Sequence, residues 1–215
     1  TEKRINDLVA QLEEVIQRKT LNRPETLRLK GRLGFADGFL HGRLGALILK
    51  RLVDHAYSFS NVVDSDLANV LQLMIRRLKH AGPKKVDATT VKEWSIFADA
   101  SFDGQSGTGG LGGVLVDSHG DCCAWFSVCL NKDVCNILGA TNKETIIYEL
   151  EMLASCLAMD LWASCLASAY PVLYGDNDSV RFALIRGTGL GVVANTIMQQ
   201  HLETEVNFNT NVWFA

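Results

Sequence analysis

Residues 96–117 read IFADASFDGQSGTGGLGGVLVD, and the fold turns on what the glycines behind Asp99 are for. Gly107, Gly109 and Gly112 have GxGxxG spacing after a strand-like segment, and Val114 extends the match to a kinase-like GxGxxGxV. A dinucleotide site needs a helix to begin at these glycines, because the pyrophosphate rests on the helix N-terminus. The next residues, LGGVLVDSHGDCCAWFSV, read instead as a strand, a Ser-His-Gly-Asp turn and another strand. A kinase would also need a lysine in a VAIK-like strand and an HRD loop, and the sequence has neither. The stretch therefore reads as a strand with Asp99 near its end, a wide glycine-rich turn and an antiparallel partner strand.

Downstream, IIYELEMLASCLAMDLWASCLA carries apolar residues at helical spacing through Ile146, Leu150, Leu153, Ala154, Leu157, Ala158 and Leu161. At about 100° per residue, Glu149 and Glu151 fall on opposite flanks of the apolar stripe, so only one of them can point at Asp99. Then YPVLYGDNDSVRFALIRG predicts a short strand over Val172 to Tyr174, with Asp176 at its end and a helix starting at Asp178-Ser179. Asp178 reads as that helix's N-cap. Gly187, Gly189 and Gly191 read as a helix-ending loop, and the terminal NTNVWFA as a last core strand.

This succession resembles ribonuclease H. The hairpin DASFDGQSGTGGLGGVLVD is similar to the first two strands of that family. The family's helical E-L-x-A-x-x-x-A is matched by Glu151, with Met152 for Leu and then Ala154 and Ala158, which selects Glu151 and keeps Glu149 as the alternative. Asp176 matches its strand-end aspartate. The resemblance implies an α/β fold, a ribonuclease H-like mixed sheet in which an antiparallel three-strand meander is joined by parallel strands. It implies a catalytic, metal-holding set of Asp99, Glu151 and Asp176, binding two Mg²⁺ ions with Mn²⁺ as substitute. The implied substrate is an RNA–DNA hybrid, whose RNA strand is cut. The family's fourth acidic residue lies beyond the last core strand; Glu203 and Glu205 precede that strand and do not match. The runner-up is a non-catalytic ribonuclease H-like module for nucleic-acid binding or assembly. A more distant reading is a helical nucleic-acid-binding protein with an unrelated α/β domain.

The first part of the chain is a different electrostatic object. Of the 215 residues, those at 1–90 carry 16 Lys and Arg against 10 Asp and Glu, whereas those at 91–215 carry 5 against 14. A basic half suits a polyanionic partner and an acidic half suits metal cations, although both counts are also compatible with ordinary solvated surfaces. Apolar periodicity through Ile5–Ile16, through PETLRLKGRLGFADGFLHGRLGALILKRLVDHA and through Leu67–Leu78 predicts three or four helices. Pro24 suits a first turn, Asp64 or Ser65 a cap, and Gly82-Pro83 a stop. Lys30, Arg32, Arg43, Lys50 and Arg51 are the candidate phosphate contacts, with a solvated helix face as the competing reading.

LRLKGRLGFADGFLHGRLGALILKRL and DLANVLQLMIRRLKHAGPKKV resemble the region between polymerase and ribonuclease H in retroelement reverse transcriptases, and no YxDD polymerase signature is present. That resemblance implies the polymerase domain of the same polyprotein as a partner. The expected organisation is a helical thumb- or connection-like segment over 1–82, a linker over 83–93, and a ribonuclease H-like domain over 94–215 that is incomplete at its C-terminus. A chain that starts at Thr1 without Met is expected to be a piece of a longer one. No apolar stretch reaches the roughly 18 residues that a membrane span requires. The six cysteines show no CxxC pair and no zinc spacing, and are expected to be reduced, mostly buried thiols of an intracellular protein, in cytoplasm or nucleus.

Overall fold

The computed structural model describes residues 2–83 and 94–215; the linker expected over 83–93 lies, apart from Pro83, outside the described residues. The chain divides into two compact units, Thr1–Val86 and Asp87–Ala215.

Among the described residues, the first unit is four helices, α1 (Glu2–Arg18), α2 (Arg23–Asp37), α3 (Leu44–Tyr57) and α4 (Ser65–His80). Asn22 caps α2, its side-chain oxygen accepting from Glu25 N–H at 3.0 Å, and Pro24 sits in the first turn where no backbone donor is needed. Asp64 caps α4 through Leu67 N–H at 2.8 Å. Leu8, Leu12, Leu29, Leu33, Ile48, Leu52, Leu71 and Met74 are fully buried between the helices. Buried Arg77 locks the α2–α3 connection: it donates to Asp37 Oδ1 at 2.5 Å, His41 O at 2.6 Å and Gly42 O at 2.8 Å. Gly45 opens α3 because a Cβ there would lie 2.0 Å from the Asp37 carboxylate.

The second unit is built on β1 (Trp94–Asp103), β2 (Thr108–Asp117), β3 (Cys122–Leu130), β4 (Val172–Tyr174) and β5 (Trp213–Phe214), in the order β3-β2-β1-β4-β5. The meander β1–β2–β3 is antiparallel, and β4 and β5 join it in parallel. This is the mixed α/β sheet implied by the ribonuclease H resemblance. The helices α5 (Lys132–Ile137), α6 (Ile147–Leu161), α7 (Asp178–Arg186) and α8 (Gly191–Phe208) connect and cover it. Helix α6 lies on β1 and β2, where its small Ala154 and Ala158 let it approach Ile96, Leu111 and Leu115. Residues alternating with these point to the opposite face, which carries Phe97 and Trp125, 47% and 71% exposed.

Several local expectations need correction. Asp99 lies in the middle of β1, and Gly109, Gly110, Gly112 and Gly113 belong to β2; the turn is Gly104 to Gly107. Their role is close packing: a Cβ on Gly113 would stand 2.4 Å from the Phe126 ring, and one on Gly110 would stand 2.8 Å from Ser101 Oγ. The cap of α7 is Asn177, not Asp178; its side chain accepts from Ser179 and Val180 N–H, while Asp178 in the first turn pairs with Arg181 at 2.7 Å. Of the cysteines only Cys135 and Cys156 are buried; Cys122, Cys123 and Cys129 lie on the edge strand β3, and Cys165 comes after α6, all four exposed. The glycines at 187–191 end α7 as expected, with Gly187 at φ 69°, but they lead straight into the 18-residue α8.

Candidate metal centre

Three different elements deliver the three acidic residues. Parallel pairing of β1 with β4 sets Phe97 opposite Tyr174, so Asp99 and Asp176, each two residues further on, come level with one another. Glu151 reaches them from the second turn of α6, on the side that faces the sheet. One carboxylate oxygen from each of Asp99, Glu151 and Asp176 lies within 4.8 Å of the others. Asp99 and Asp176 are exposed and Glu151 is 6% exposed, so the group is open on one side and closed on the other.

Its electrostatics follow from that arrangement. Burial, and then the negative charges of Asp99 and Asp176, push the Glu151 carboxyl up to about 7, against the pull of a hydrogen bond from Ala100 N–H. Ala100 N–H also donates to Asp99 Oδ1 at 2.8 Å, which fixes the aspartate's rotamer.

Glu149 takes no part. It is 3% exposed and forms an ion pair with Lys143 on the other flank of α6. Glu203 accepts from the Gln199 amide at 3.1 Å, and Glu205 is buried 3.5 Å from His201; both are on α8, outside the acidic group.

The basic residues singled out in the sequence belong to the first unit, and Arg32, Lys50 and Arg51 are among those engaged with neighbouring side chains there. Lys50 pairs with Asp54 at 2.7 Å, Arg51 pairs with Asp66, and Arg32 donates to Gln11 at 2.5 Å. Arg43 is half-buried at the start of α3, and Lys30 is exposed on α2.

Two neighbours of the acidic group are not singled out by the sequence motifs. Phe97 and Tyr174 stack with ring centroids 4.9 Å apart, and with Trp125 they line an open groove of about 800 Å³ that also contains Asp99 and Asp176. A signal for them exists in two matched triplets, Phe97-Ala98-Asp99 and Tyr174-Gly175-Asp176, each an aromatic residue two places before its acid.

No protein-family model matches the sequence, and no curated protein matches it. Solved structures do. The chain is similar to RNase H1 from the halophilic archaeon Halobacterium salinarum, at 16% identity and a TM-score of 0.45 over 57% of this chain and 83% of that one. It is similar to the N-terminal RNase H domain of a Mycobacterium tuberculosis protein, at 15% identity and a TM-score of 0.44 over 58% and 85%. A third is LC11-RNase H1 in complex with an RNA/DNA hybrid, at 14% identity and a TM-score of 0.43 over 57% and 83%.

Proposed function

We propose that this chain is a metal-dependent endonuclease of the ribonuclease H type that cuts the RNA strand of RNA–DNA hybrids, acting inside the cell as part of a retroelement reverse transcriptase polyprotein. The observation that carries this reading is the convergence of Asp99, Glu151 and Asp176 beside an open groove. Three carboxylates from separate elements are costly to bring together, since each opposes the ionisation of the others. Burial and then the charges of Asp99 and Asp176 raise the Glu151 carboxyl, and a divalent cation would offset both by favouring the ionised form. All-oxygen ligands suit Mg²⁺ or Mn²⁺.

Asp99 and Asp176, exposed towards the groove, would hold the ions on the substrate side, and Glu151 would hold them from the core side. When bound, two such ions supply Lewis acidity and an activated water for phosphodiester hydrolysis. Glu151 contributes rigidity as well as charge, because its helix is packed on the sheet through Ala154 and Ala158. The first unit, with its excess of basic residues, is proposed to be the thumb- or connection-like segment that guides hybrid and links to a polymerase domain.

The test is cleavage of a hybrid labelled on both strands. The expected result is metal-dependent scission of the RNA strand alone, stronger with Mn²⁺ than with Mg²⁺ because three carboxylates hold a second ion weakly, and lost in Asp99→Asn. Calorimetric binding of Mn²⁺ gives a second readout. A protein that binds hybrid but neither takes up Mn²⁺ nor cuts would be the non-catalytic module instead.

A further inference from the structure

We propose that the exposed rings of Phe35 and Phe39, flanked by Arg4 and Arg28, stack unpaired bases of single-stranded nucleic acid, the arginines supplying charge for its backbone; this rests on the reading of the first unit as a guide for nucleic acid. Phe35 is 56% exposed and Phe39 62%. The two rings meet edge to face with centroids 5.3 Å apart, and the exposed Arg4 guanidinium lies 4.6 Å from the Phe35 centroid. Arg28 and Phe35 are seven residues apart on α2, a rise of about 10 Å and a rotation of about 20° from two full turns, so both stand on one face of the helix. Gly31 lies between them, and a Cβ there would meet no atom within 4 Å, which leaves the surface between cation and rings open.

The charge around the rings selects a polyanion. Helix α2 holds Arg23, Arg28, Lys30 and Arg32 against Glu25 and Asp37. Both acids are already neutralised, Glu25 by Arg18 at 2.8 Å and Asp37 by buried Arg77 at 2.5 Å. At the start of α1, Lys3 and Arg4 balance Glu2 and Asp7, so the surplus belongs to α2.

Exposed rings then select unpaired bases among polyanions. In a duplex or hybrid the base faces are stacked on one another, whereas a single strand offers them to aromatic rings and to arginine planes. A protein partner would call for an interface centre depleted of charge. Here a guanidinium lies against the Phe35 ring itself.

The experiment is fluorescence anisotropy of a short labelled oligo(dT) with the whole chain in EDTA, where binding is read apart from cleavage. Saturable binding that weakens with salt is expected. The Phe35→Leu, Phe39→Leu pair should weaken it about five- to hundredfold, as loss of a stacked base does, and keep the salt slope. The Phe35→Tyr, Phe39→Tyr pair should bind like the unsubstituted chain. Arg28→Ala should lower the slope by about 0.7, the share of one phosphate on a single strand. A blunt DNA duplex should respond to Arg28→Ala and not to the leucine pair. With one thymine replaced by 5-iodouracil, ultraviolet light should join the strand to Phe35 or Phe39 with loss of HI, at a position identified by peptide mapping. Equal weakening by the leucine and tyrosine pairs, a crosslink outside residues 2–83, or no oligo(dT) binding would overturn the proposal. So would a leucine pair that keeps oligo(dT) binding and loses self-association in sedimentation, since the rings would then be a protein contact. Hybrid cutting, measured alongside, separates this proposal from the one it rests on: cutting without oligo(dT) binding overturns the base-stacking surface alone, and oligo(dT) binding without cutting upholds it where the nuclease fails.

Discussion

Glu149 and Glu151 stand two residues apart on one helix and meet opposite surroundings: Glu149 is neutralised by Lys143, whereas Glu151 faces Asp99 and Asp176. Two residues of helix turn the side chain through about 200°, and this alone separates an ion pair from an acidic cluster.

The first prediction uses that contrast. Glu151→Gln removes a carboxylate from the proposed metal-holding group and should lower hybrid cleavage by at least about a hundredfold, the upper end of what indirect perturbations of metal sites cost. Glu149→Gln should keep cleavage within a few-fold. Equal losses in the two would mean that the active carboxylate has been misassigned.

Stability should depend on pH through Glu151. Its folded value, about 7, is raised above the ordinary 4.5, so the stability it confers is fully present below about pH 4.5 and is lost as pH rises through 7. Above that, the charged form costs on the order of 3 kcal/mol at most. Melting of the metal-free protein should therefore fall between pH 4.5 and 7 more steeply than that of Glu151→Gln. Millimolar Mn²⁺ should raise the melting temperature at pH 8 and leave it nearly unchanged at pH 5. Parallel profiles for the two proteins would count against the buried acidic cluster.

Gly113→Ala should destabilise by roughly 1–3 kcal/mol, because the added Cβ meets the Phe126 ring and β3 must shift. Chemical denaturation measures this, and Phe126→Leu in the same chain should recover part of the loss. A neutral Gly113→Ala would show that the ring moves freely.

Arg77→Ala leaves Asp37 and two backbone carbonyls without their donor, and should cost about 3 kcal/mol or more. The loss should appear as a lower thermal midpoint for the helical unit.

On the proposed function, hybrid affinity should fall steeply with salt. Lys30→Ala should reduce the salt slope by about 1, as loss of one phosphate contact does. Lys50→Ala should change it little, since Lys50 is already paired with Asp54. The reverse order would move the contact surface from α2 to α3.

The choice of Glu151 came from the ribonuclease H resemblance, whereas local chemistry in the sequence was sufficient for the β-hairpin around Asp99, for setting Glu149 and Glu151 on opposite flanks of one helix and for the short strand before Asp176. Each of these depends on a repeat of about two or 3.6 residues, or on the residues that end an element, so the information lies within a few positions. Pairings between distant segments are of another kind. The parallel register of β1 and β4 is what brings Asp176 level with Asp99, and no local pattern specifies which residues of two strands face each other. The same holds for the burial of Arg77, whose partners are about forty residues away, and for the exposure of the β3 cysteines, which results from β3 being the end strand of the sheet. The glycines of β2 illustrate both levels: their presence was plain in the sequence, but their reason, a phenylalanine ring lying over Gly113, exists only once β3 has paired beside them. Side-chain period is a property of the chain itself, whereas neighbours across a sheet are decided by which contacts the folded core can satisfy together.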